Sequence, residues 1–248
     1  MSHPLPLTGE RTLPGVPGEE YWFARHEAAY AWILRTWSRE LSGALLVEAG
    51  SGEGYGAALL RSAGARVVLA LEYDVASVAH ARTAYPEVAT TRANLAAMPV
   101  RTGVADLVVT LQVVEHLWDL RGFLRDCRRL LRPGGRLVVS TPNRPVFSPG
   151  LPRGAKPRNP FHVEELDADQ LRVLLVEAGF DDVVLHGLHH GPRITEWERA
   201  AGIGLVAAQL APLPATEVSE IVATVTAEDF VLAGTVGAQD LVAVAVRP

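Results

Sequence analysis

Short apolar runs alternate with stretches of helical periodicity through the middle of the chain. The runs predict strands at about residues 44–49, 66–72, 88–92, 105–111 and 136–141. Apolar residues spaced three and four apart predict helices between them, at about residues 54–63, 75–84 and 120–131. Strands that alternate with helices in this order are typical of βαβ units and a parallel sheet.

The pattern changes on both sides of this alternation. Aromatic and apolar positions predict one amphipathic helix over residues 21–41, behind a segment rich in proline and glycine. After the alternation, a proline-rich basic loop over residues 146–160 is too broken for regular structure. A helix at 167–178 and a strand at 182–188 follow, then a weakly helical stretch at 191–235, and the last nine residues close the chain as a strand.

Composition and charge narrow the functional classes. Lys and Arg number 23 against 28 Asp and Glu, and no dense basic run is present, so we expect no nucleic-acid partner. Cys127 has no second cysteine to pair with, which fits a reducing cytoplasm. No signal peptide and no membrane span is expected, because no window approaches about 18 apolar residues. The sequence leaves open whether the chain forms a homodimer.

A glycine-rich turn follows the first predicted strand in L-L-V-E-A-G-S-G-E-G-Y-G. Gly50, Gly52 and Gly54 would let a nucleoside ligand approach the backbone at a helix N-terminus. Glu72 lies 22 residues after Gly50, close to the offset at which an acid holds the hydroxyls of an adenosine ribose. A turn without a ligand and a solvated strand end are the alternatives for these residues.

The acid before the glycines decides between two nucleoside cofactors. Residues 52–57 satisfy G-x-G-x-x-A, which alone would also fit NAD. Glu48, however, would repel a pyrophosphate, whereas it could accept hydrogen bonds from the ammonium group of an amino acid. A cofactor with a base, a sugar and an amino acid tail would suit both acids, with the amino group at Glu48 and the sugar at Glu72. We therefore predict S-adenosyl-L-methionine as the cofactor.

The chain resembles the class I S-adenosylmethionine-dependent methyltransferases over roughly residues 44–188. Five stretches carry the resemblance: V-E-A-G-S-G-E-G, L-E-Y-D, R-A-N-L-A-A-M-P-V, D-L-V-V-T-L-Q-V-V-E-H-L and L-R-P-G-G-R-L-V-V-S-T-P-N. The resemblance implies that Glu48 and the glycines wrap the methionine moiety and that Glu72 holds the ribose. It also places Asn94, with Leu95 beside it, at the adenine, and Gln112 next to the transferred methyl group.

Two of these assignments have alternatives. The family more often has Asp where this chain has Asn94, although an amide can still bond to adenine; a plain turn residue is the other interpretation. Gln112 and Val113 could equally serve ordinary packing at a strand end.

Within this fold class we predict an α/β, doubly wound, Rossmann-like sheet of seven strands with the last strand antiparallel. Residues 1–43 form an N-terminal arm and helix that acts as a lid, and residues 44–190 form the cofactor-binding core. Residues 191–235 form a helical insertion on the acceptor side, and residues 236–248 hold the final strand. In the lid, Arg25 or His26 is expected to reach the cofactor carboxylate, and Tyr21 or Trp22 to cover the sulfonium. Anchoring of the helix to the sheet by its aromatic residues is the alternative.

Methyl transfer to an alcohol needs a base within reach of the acceptor, or a bound divalent ion. Four histidines follow strand ends or loops on the expected acceptor side; ranked as candidate bases they are His162, His189 with His190, and His116. Surface, capping or packing roles are the alternatives. No metal site is expected, because H-G-L-H-H has no carboxylate or cysteine at matching spacing.

The outer segments sharpen the resemblance. L-T-G-E-R-T, Y-W-F-A-R-H and N-P-F-H-V-E-E-L look like actinobacterial methyltransferases linked with methylglucose lipopolysaccharides, a class of polymethylated polysaccharides. This likeness implies O-methylation of a glucosyl hydroxyl, the 6-hydroxyl being the expected position. A methyltransferase acting on a quinone, phenol or amine and a non-catalytic protein that binds S-adenosylmethionine are the alternatives.

Overall fold

Eight strands form one sheet within the described part of the chain, which comprises residue 5, residues 12–209 and residues 216–248 of a computed structural model. The strands are β1 Leu45–Ala49, β2 Val67–Glu72, β3 Ala89–Arg92, β4 Ala105–Leu111, β5 Leu131–Pro142, β6 Asp181–His190, β7 Phe230–Ala233 and β8 Asp240–Val246. The helices are α1 Glu20–Thr36, α2 Ser38–Leu41, α3 Tyr55–Ser62, α4 Val75–Ala84, α5 Leu120–Leu130, α6 Arg144–Phe147, α7 Ala168–Glu177, α8 Pro192–Ala201, α9 Leu205–Gln209 and α10 Thr216–Val222. Single 3-10 turns lie at Val114–His116 and Ala227–Asp229.

The strand order is β3-β2-β1-β4-β5-β8-β6-β7. Strands β1 to β5 pair in parallel, and β8 lies antiparallel between β5 and β6. The order reverses between β1 and β4, which is the switch point where open α/β sheets bind ligands, beyond the carboxyl ends of the strands. The parallel core and the antiparallel last strand confirm the prediction.

Successive residues of the central strands face opposite sides of the sheet, as strand geometry requires. Leu46 of β1 packs in one buried cluster with α1, α3 and the helices after β6, whereas Val47 packs in a second cluster with α5 and α7. Both side chains are fully buried. Helices therefore cover both faces, and at roughly 25 cal/mol per Å² of apolar surface this burial is the main stabilisation of the sheet.

Local capping fixes where several helices begin. Asp74 accepts a hydrogen bond from the backbone N–H of Ser77 at the start of α4, and Asp119 does the same for Gly122 at the start of α5. Helix α5 then buries Phe123, Leu124 and Cys127 on one face. These caps place the helix starts next to the strand ends that form the site.

The prediction of seven strands is wrong, because the sheet has an eighth strand in the stretch predicted to be a helical insertion. Strand β7 pairs antiparallel with β6, with His190 opposite Phe230. The run F-V-L-A is too short for its periodicity to distinguish a strand from a helix, and only pairing with β6 decides its conformation. Helices α8, α9 and α10 account for the helical part of residues 191–235.

Two smaller differences concern element bounds. The single helix predicted at 21–41 is divided at Trp37, and β5 begins at Leu131, five residues earlier than predicted. The predicted lid, residues 1–43, lies partly outside the described residues, at 1–4 and 6–11. Among the helices of the described ranges, none combines the length and apolar character needed to cross a membrane.

Candidate active site

The glycine loop connects β1 to α3 with three residues of positive φ: +81° at Gly50, +55° at Gly52 and +100° at Gly54. A β-carbon at Gly50 would lie 2.5 Å from Val113 Cγ2, and one at Gly54 would lie 2.9 Å from the β-carbon of Ala81. At Gly52 it would meet no atom within 4 Å. Gly50 and Gly54 are thus required by packing, and Gly52 borders the open space that a cofactor would fill.

Glu48 ends β1 as a fully buried carboxyl group. Tyr30 of α1 donates a hydrogen bond of 2.5 Å to its Oε1, and the Ala57 backbone N–H lies near enough to lower the pKa of the carboxyl group. The buried Oε2 meets no hydrogen-bond criterion among the described residues. Burial raises the pKa of Glu48 to about 8, against the lowering effect of the Tyr30 hydrogen bond. An unpaired buried carboxylate oxygen fits the ammonium group of a methionine moiety, so this end of the site suits the predicted cofactor.

Glu72 ends β2 and is held by backbone N–H groups. Its Oε1 accepts hydrogen bonds from Tyr73 and Asp74, at 2.7 and 2.8 Å, and its Oε2 accepts one of 2.9 Å from Gly52. Each carboxylate oxygen has two lone pairs, so Oε2 retains one for a ribose hydroxyl. The bond from Gly52 ties this acid directly to the glycine loop.

Asn94 and Leu95 follow β3. Asn94 is exposed, and its Oδ1 accepts a hydrogen bond of 3.0 Å from the backbone N–H of Ala96, which is the turn geometry given above as its alternative. Leu95 packs partly buried against the core. A role of either residue at adenine stays a prediction.

Gln112 follows β4 in a left-handed conformation, with φ of +55°. Its backbone N–H donates to the Ser140 carbonyl at 3.0 Å and its Nε2 to Ser140 Oγ at 3.2 Å. A non-glycine residue in this region costs of order 1–3 kcal/mol, a strain that clusters at functional sites. The conformation brings the side chain to the same sheet edge as the glycine loop.

Arg25 of α1 lies at this edge but is already paired. Its Nε donates to Asp240 Oδ2 at 2.7 Å, a second nitrogen donates to the other oxygen, and both side chains are buried. A weaker hydrogen bond of 3.4 Å reaches Gln112 Oε1. The observed partner is thus Asp240, so contact with a cofactor carboxylate stays a prediction.

Sequence reasoning did not predict that aromatic residues of α1 pack on the glycine loop. A β-carbon at Gly56 would overlap the Tyr30 ring at 2.2 Å, so only glycine allows this approach. Tyr55 and His26 share a hydrogen bond of 2.7 Å, and burial lowers the pKa of His26 to about 4. The Y-W-F-A-R-H stretch is visible in the sequence, but its contact with α3 depends on tertiary packing.

His190 and His189 end β6 in structural contacts. Tyr21 Oη lies 2.7 Å from His190 Nε2, and Glu198 Oε1 lies 3.0 Å from His190 Nδ1. His189 Nε2 lies 2.6 Å from the Gly234 carbonyl. These bonds tie β6 to α1, α8 and the segment after β7. Three strand spacings of about 4.8 Å, roughly 14 Å, separate β6 from β4, so the structure does not group these histidines with His116.

His162 lies in a short network of polar side chains. Its Nδ1 is 2.7 Å from Glu165 Oε1, and its Nε2 is 2.9 Å from Asn159 Nδ2. The orientation of the Asn159 amide is supported by its Oδ1, which accepts from the Phe161 N–H at 3.0 Å. Glu165 therefore accepts a hydrogen bond from Nδ1, and the ring's lone pair lies at Nε2, where it accepts from the Asn159 amide.

His116 and Glu115 bring the end of β4 to this network. The His116 and His162 ring centroids are 5.0 Å apart, and the buried Glu115 accepts a hydrogen bond of 3.1 Å from Thr141. Burial raises the pKa of Glu115, while His116 and His162 lower it. Ligand atoms of Glu115, His116 and His162 lie within 4.8 Å of one another, which is close enough to hold a metal ion. Sequence reasoning missed Glu115 and Glu165, although E-H and H-x-x-E spacings signal both.

Two arginines, one in the proline-rich loop and one in α8, have acidic partners. Arg153 donates to Asp167 Oδ2 at 2.7 Å, and Arg193 donates to Asp229 Oδ1 at 2.7 Å. These arginines therefore form ion pairs within the protein.

Comparisons with known proteins agree with this geometry. The family model described as "Methyltransferase domain" matches residues 47–139. A Mycobacterium tuberculosis H37Rv protein named "Probable S-adenosylmethionine-dependent methyltransferase Rv3030" is 46% identical over 98% of this chain and 90% of its own length. A ubiquinone biosynthesis O-methyltransferase of Caulobacter is 35% identical over 40% of this chain and 42% of that protein.

A solved S-adenosylmethionine-dependent methyltransferase from Thermotoga maritima superposes with a TM-score of 0.62, at 17% identity, over 92% of this chain and 94% of that one. That likeness shows the shared fold. The glycine loop, the unpaired Glu48 oxygen and the full-length relatives together identify the chain as a member of the S-adenosylmethionine-dependent methyltransferases, enzymes whose cofactor is S-adenosyl-L-methionine.

Proposed function

We propose that the enzyme O-methylates a carbohydrate hydroxyl, namely that of a glucosyl unit of a polymethylated polysaccharide precursor, at the 6-position. The observation that carries the choice of an oxygen acceptor is the pair His162 and Glu165, joined at 2.7 Å. An alcohol must lose its proton as it attacks, whereas an amine acceptor needs little more than alignment. With Glu165 on Nδ1, the lone pair of His162 lies at Nε2 and would serve that purpose once the Asn159 amide turns away from the ring.

The site divides the work between two ends of the same sheet edge. S-adenosylmethionine supplies an electrophilic methyl group when bound. In this proposal Glu48 binds the ammonium group, Gly52 lies against the methionine moiety, and Glu72 binds the ribose hydroxyls. Asn94 lies at the adenine and Gln112 lies beside the transferred methyl group. Helix α1 covers the methionine side, because Tyr30 reaches Glu48 across the glycine loop. The protein's main contribution is then to align the acceptor and exclude water.

Exposed aromatic rings border the acceptor end. Trp118 is 91% exposed and lies two residues after His116, and Phe161, 54% exposed, precedes His162. Flat apolar faces beside polar groups suit the CH faces and hydroxyls of a sugar. We extend the proposal to the segment 191–235, whose helices would line the acceptor side.

A second candidate acceptor is a phenol or quinol. It is supported by the sequence similarity to ubiquinone biosynthesis O-methyltransferases, which extends over 40% to 50% of this chain. Such a ring would use the same histidine pair as base.

The test is turnover on two acceptor panels, glucosyl oligosaccharides and catechols, measured as S-adenosylhomocysteine formed and as the mass and position of the added methyl. We expect methylation of a glucosyl hydroxyl. His162→Gln should lower kcat by about 10²- to 10⁴-fold while leaving cofactor affinity unchanged. His186→Gln, on β6, is the matched control. Methylation of catechols alone, or full activity of His162→Gln, would contradict the proposal.

A further inference from the structure

We propose that Glu115, His116 and His162 bind a divalent transition-metal ion that holds the acceptor hydroxyl. This rests on the proposed function and deepens it, since His162 then acts on the hydroxyl through the cation. The three side chains converge from two loops, and their ligand atoms lie within 4.8 Å of one another. Two imidazoles and one carboxylate form a recognised ligand set for zinc, manganese, cobalt and iron.

The hydrogen-bond partners of both Nδ1 atoms favour the tautomer that a metal ligand needs. His162 Nδ1 faces the Glu165 carboxylate at 2.7 Å, and His116 Nδ1 faces the Phe161 carbonyl at 3.3 Å. In that tautomer each acceptor receives the Nδ1 proton, and the lone pair that would face an ion belongs to Nε2. Ligating histidines characteristically bond in this way through the other nitrogen to a carboxylate or a carbonyl, which fixes the ring orientation.

The charge of the cluster favours a cation. Glu115 and Glu165 are each 2% exposed, and Glu165 Oε2 has no hydrogen-bond partner among the described residues. Arg25 lies near enough to interact with Glu115, but it is bound to Asp240. When both carboxyl groups are ionised, their negative charges lie close together in the protein interior, and a divalent ion would neutralise them.

One contact must change when the ion binds. Asn159 Nδ2 lies 2.9 Å from His162 Nε2, on the lone pair that the ion would use. The Asn159 side chain would therefore turn away from the ring. Three protein ligands leave open positions for the acceptor, as in catalytic metal sites.

The transfer needs only the acceptor, the ion and S-adenosylmethionine. The acceptor oxygen binds the ion, which lowers the pKa of the hydroxyl, and the proton is released to solvent. The oxygen then forms a bond to the methyl carbon while the carbon–sulfur bond breaks. The electron pair of the broken bond stays on sulfur. The products are the methyl ether, S-adenosylhomocysteine and one proton, so no oxidant or further reactant is required.

The test is metal binding to the full-length protein after treatment with a chelator. Zn²⁺ is titrated by calorimetry and Co²⁺ by its visible absorption, both without acceptor. We expect one equivalent to bind, with at least tenfold weaker affinity in His116→Gln and Glu115→Gln and no change in His186→Gln. Because Glu115 is buried, cofactor affinity is measured alongside to show that each variant is folded.

The outcomes separate this inference from the function it rests on. Absence of stoichiometric binding, equal affinity in His116→Gln, or an undiminished methylation rate in the metal-free protein would overturn the metal site and leave O-methylation by His162 as base. Stoichiometric binding that depends on His116, together with no methylation of any hydroxyl, would support the site and overturn the proposed function.

Discussion

Tyr30 Oη lies 2.5 Å from Glu48 Oε1, so a helix ahead of the sheet directly contacts the carboxyl group at the end of the first strand. Helix α1 is thereby joined to the end of β1 next to the glycine loop. The same glutamate has its second oxygen buried without a partner in the described part of the chain, and this oxygen is where we place the cofactor ammonium group.

Replacing Glu48 should change stability and binding in opposite directions. Burial raises the pKa of Glu48 from its ordinary value of 4.5 to about 8 in the folded protein. In the cofactor-free protein this group therefore lowers the free energy of unfolding progressively as the pH rises from about 4.5 to 8, because the unfolded chain ionises more readily than the folded one. We expect Glu48→Gln to match or exceed the melting temperature of the wild type at pH 8.5, and to bind S-adenosylmethionine about 10- to 100-fold more weakly. Thermal melts and calorimetry at that pH check both; a large drop in melting temperature would argue for a structural role.

Cofactor binding should release a proton at pH 7. Below pH 8 most Glu48 is protonated, and an ammonium group favours the carboxylate. Calorimetry in two buffers with different heats of ionisation measures this release. The apparent enthalpy should differ between buffers for the wild type and agree for Glu48→Gln, while buffer-independent heat in both would disprove the coupling.

Tyr30→Phe should shift the ionisation of Glu48, and the cofactor binding coupled to it, to higher pH. The tyrosine hydrogen bond lowers the pKa of Glu48, so its loss leaves desolvation less opposed and raises that pKa further. At pH 7 we expect S-adenosylmethionine affinity to fall by about 5- to 30-fold, equivalent to about 1–2 kcal/mol. Tyr73→Phe, whose ring is 63% exposed, is the control and should bind normally.

Alanine substitutions in the glycine loop should distinguish glycines needed for packing from those needed for cofactor binding. Gly52→Ala places its methyl group in open space at φ +55°, so we expect a stability loss of about 1 kcal/mol and a much larger loss of cofactor affinity. Gly150→Ala has the same open surroundings at φ +78° outside the loop and should lose stability alone. Gly50→Ala should unfold at lower temperature than either, because its β-carbon would overlap Val113. Melting temperatures and calorimetric affinities of the three variants decide the matter.

His190 should prove structural. Its two ring nitrogens are engaged by Tyr21 and Glu198, so His190→Gln should lower the free energy of unfolding by about 1–3 kcal/mol. Residual activity at a temperature where the variant is folded should be close to that of the wild type. A loss of kcat with unchanged stability would instead restore His190 as a candidate base.

The sequence predicted the parts of the molecule that local pattern determines. Apolar runs located β1 to β6 and β8, and the glycine loop with Glu48 and Glu72 was recognised because backbone conformation and strand-end chemistry need those residue types. The four-residue β7 was missed because its conformation depends on pairing with β6.

The acceptor side was harder to predict for the same reason. Ranking His162, His189, His190 and His116 by position could not show that β6 lies three strands from β4, or that His116 and His162 meet at 5.0 Å. The pairing of Arg25 with Asp240, 215 residues away in the chain, leaves no local signal in the sequence.

Both outer strands of the sheet, β3 and β7, are only four residues long. An unpaired strand edge can recruit another chain through its free N–H and C=O groups, and short edges limit that recruitment. β7 shields only His190 to Gly187 of the ten-residue β6, at its carboxyl end. Deleting β7 would therefore expose a longer edge, and intermolecular strand pairing, with aggregation at high protein concentration, is the consequence to expect.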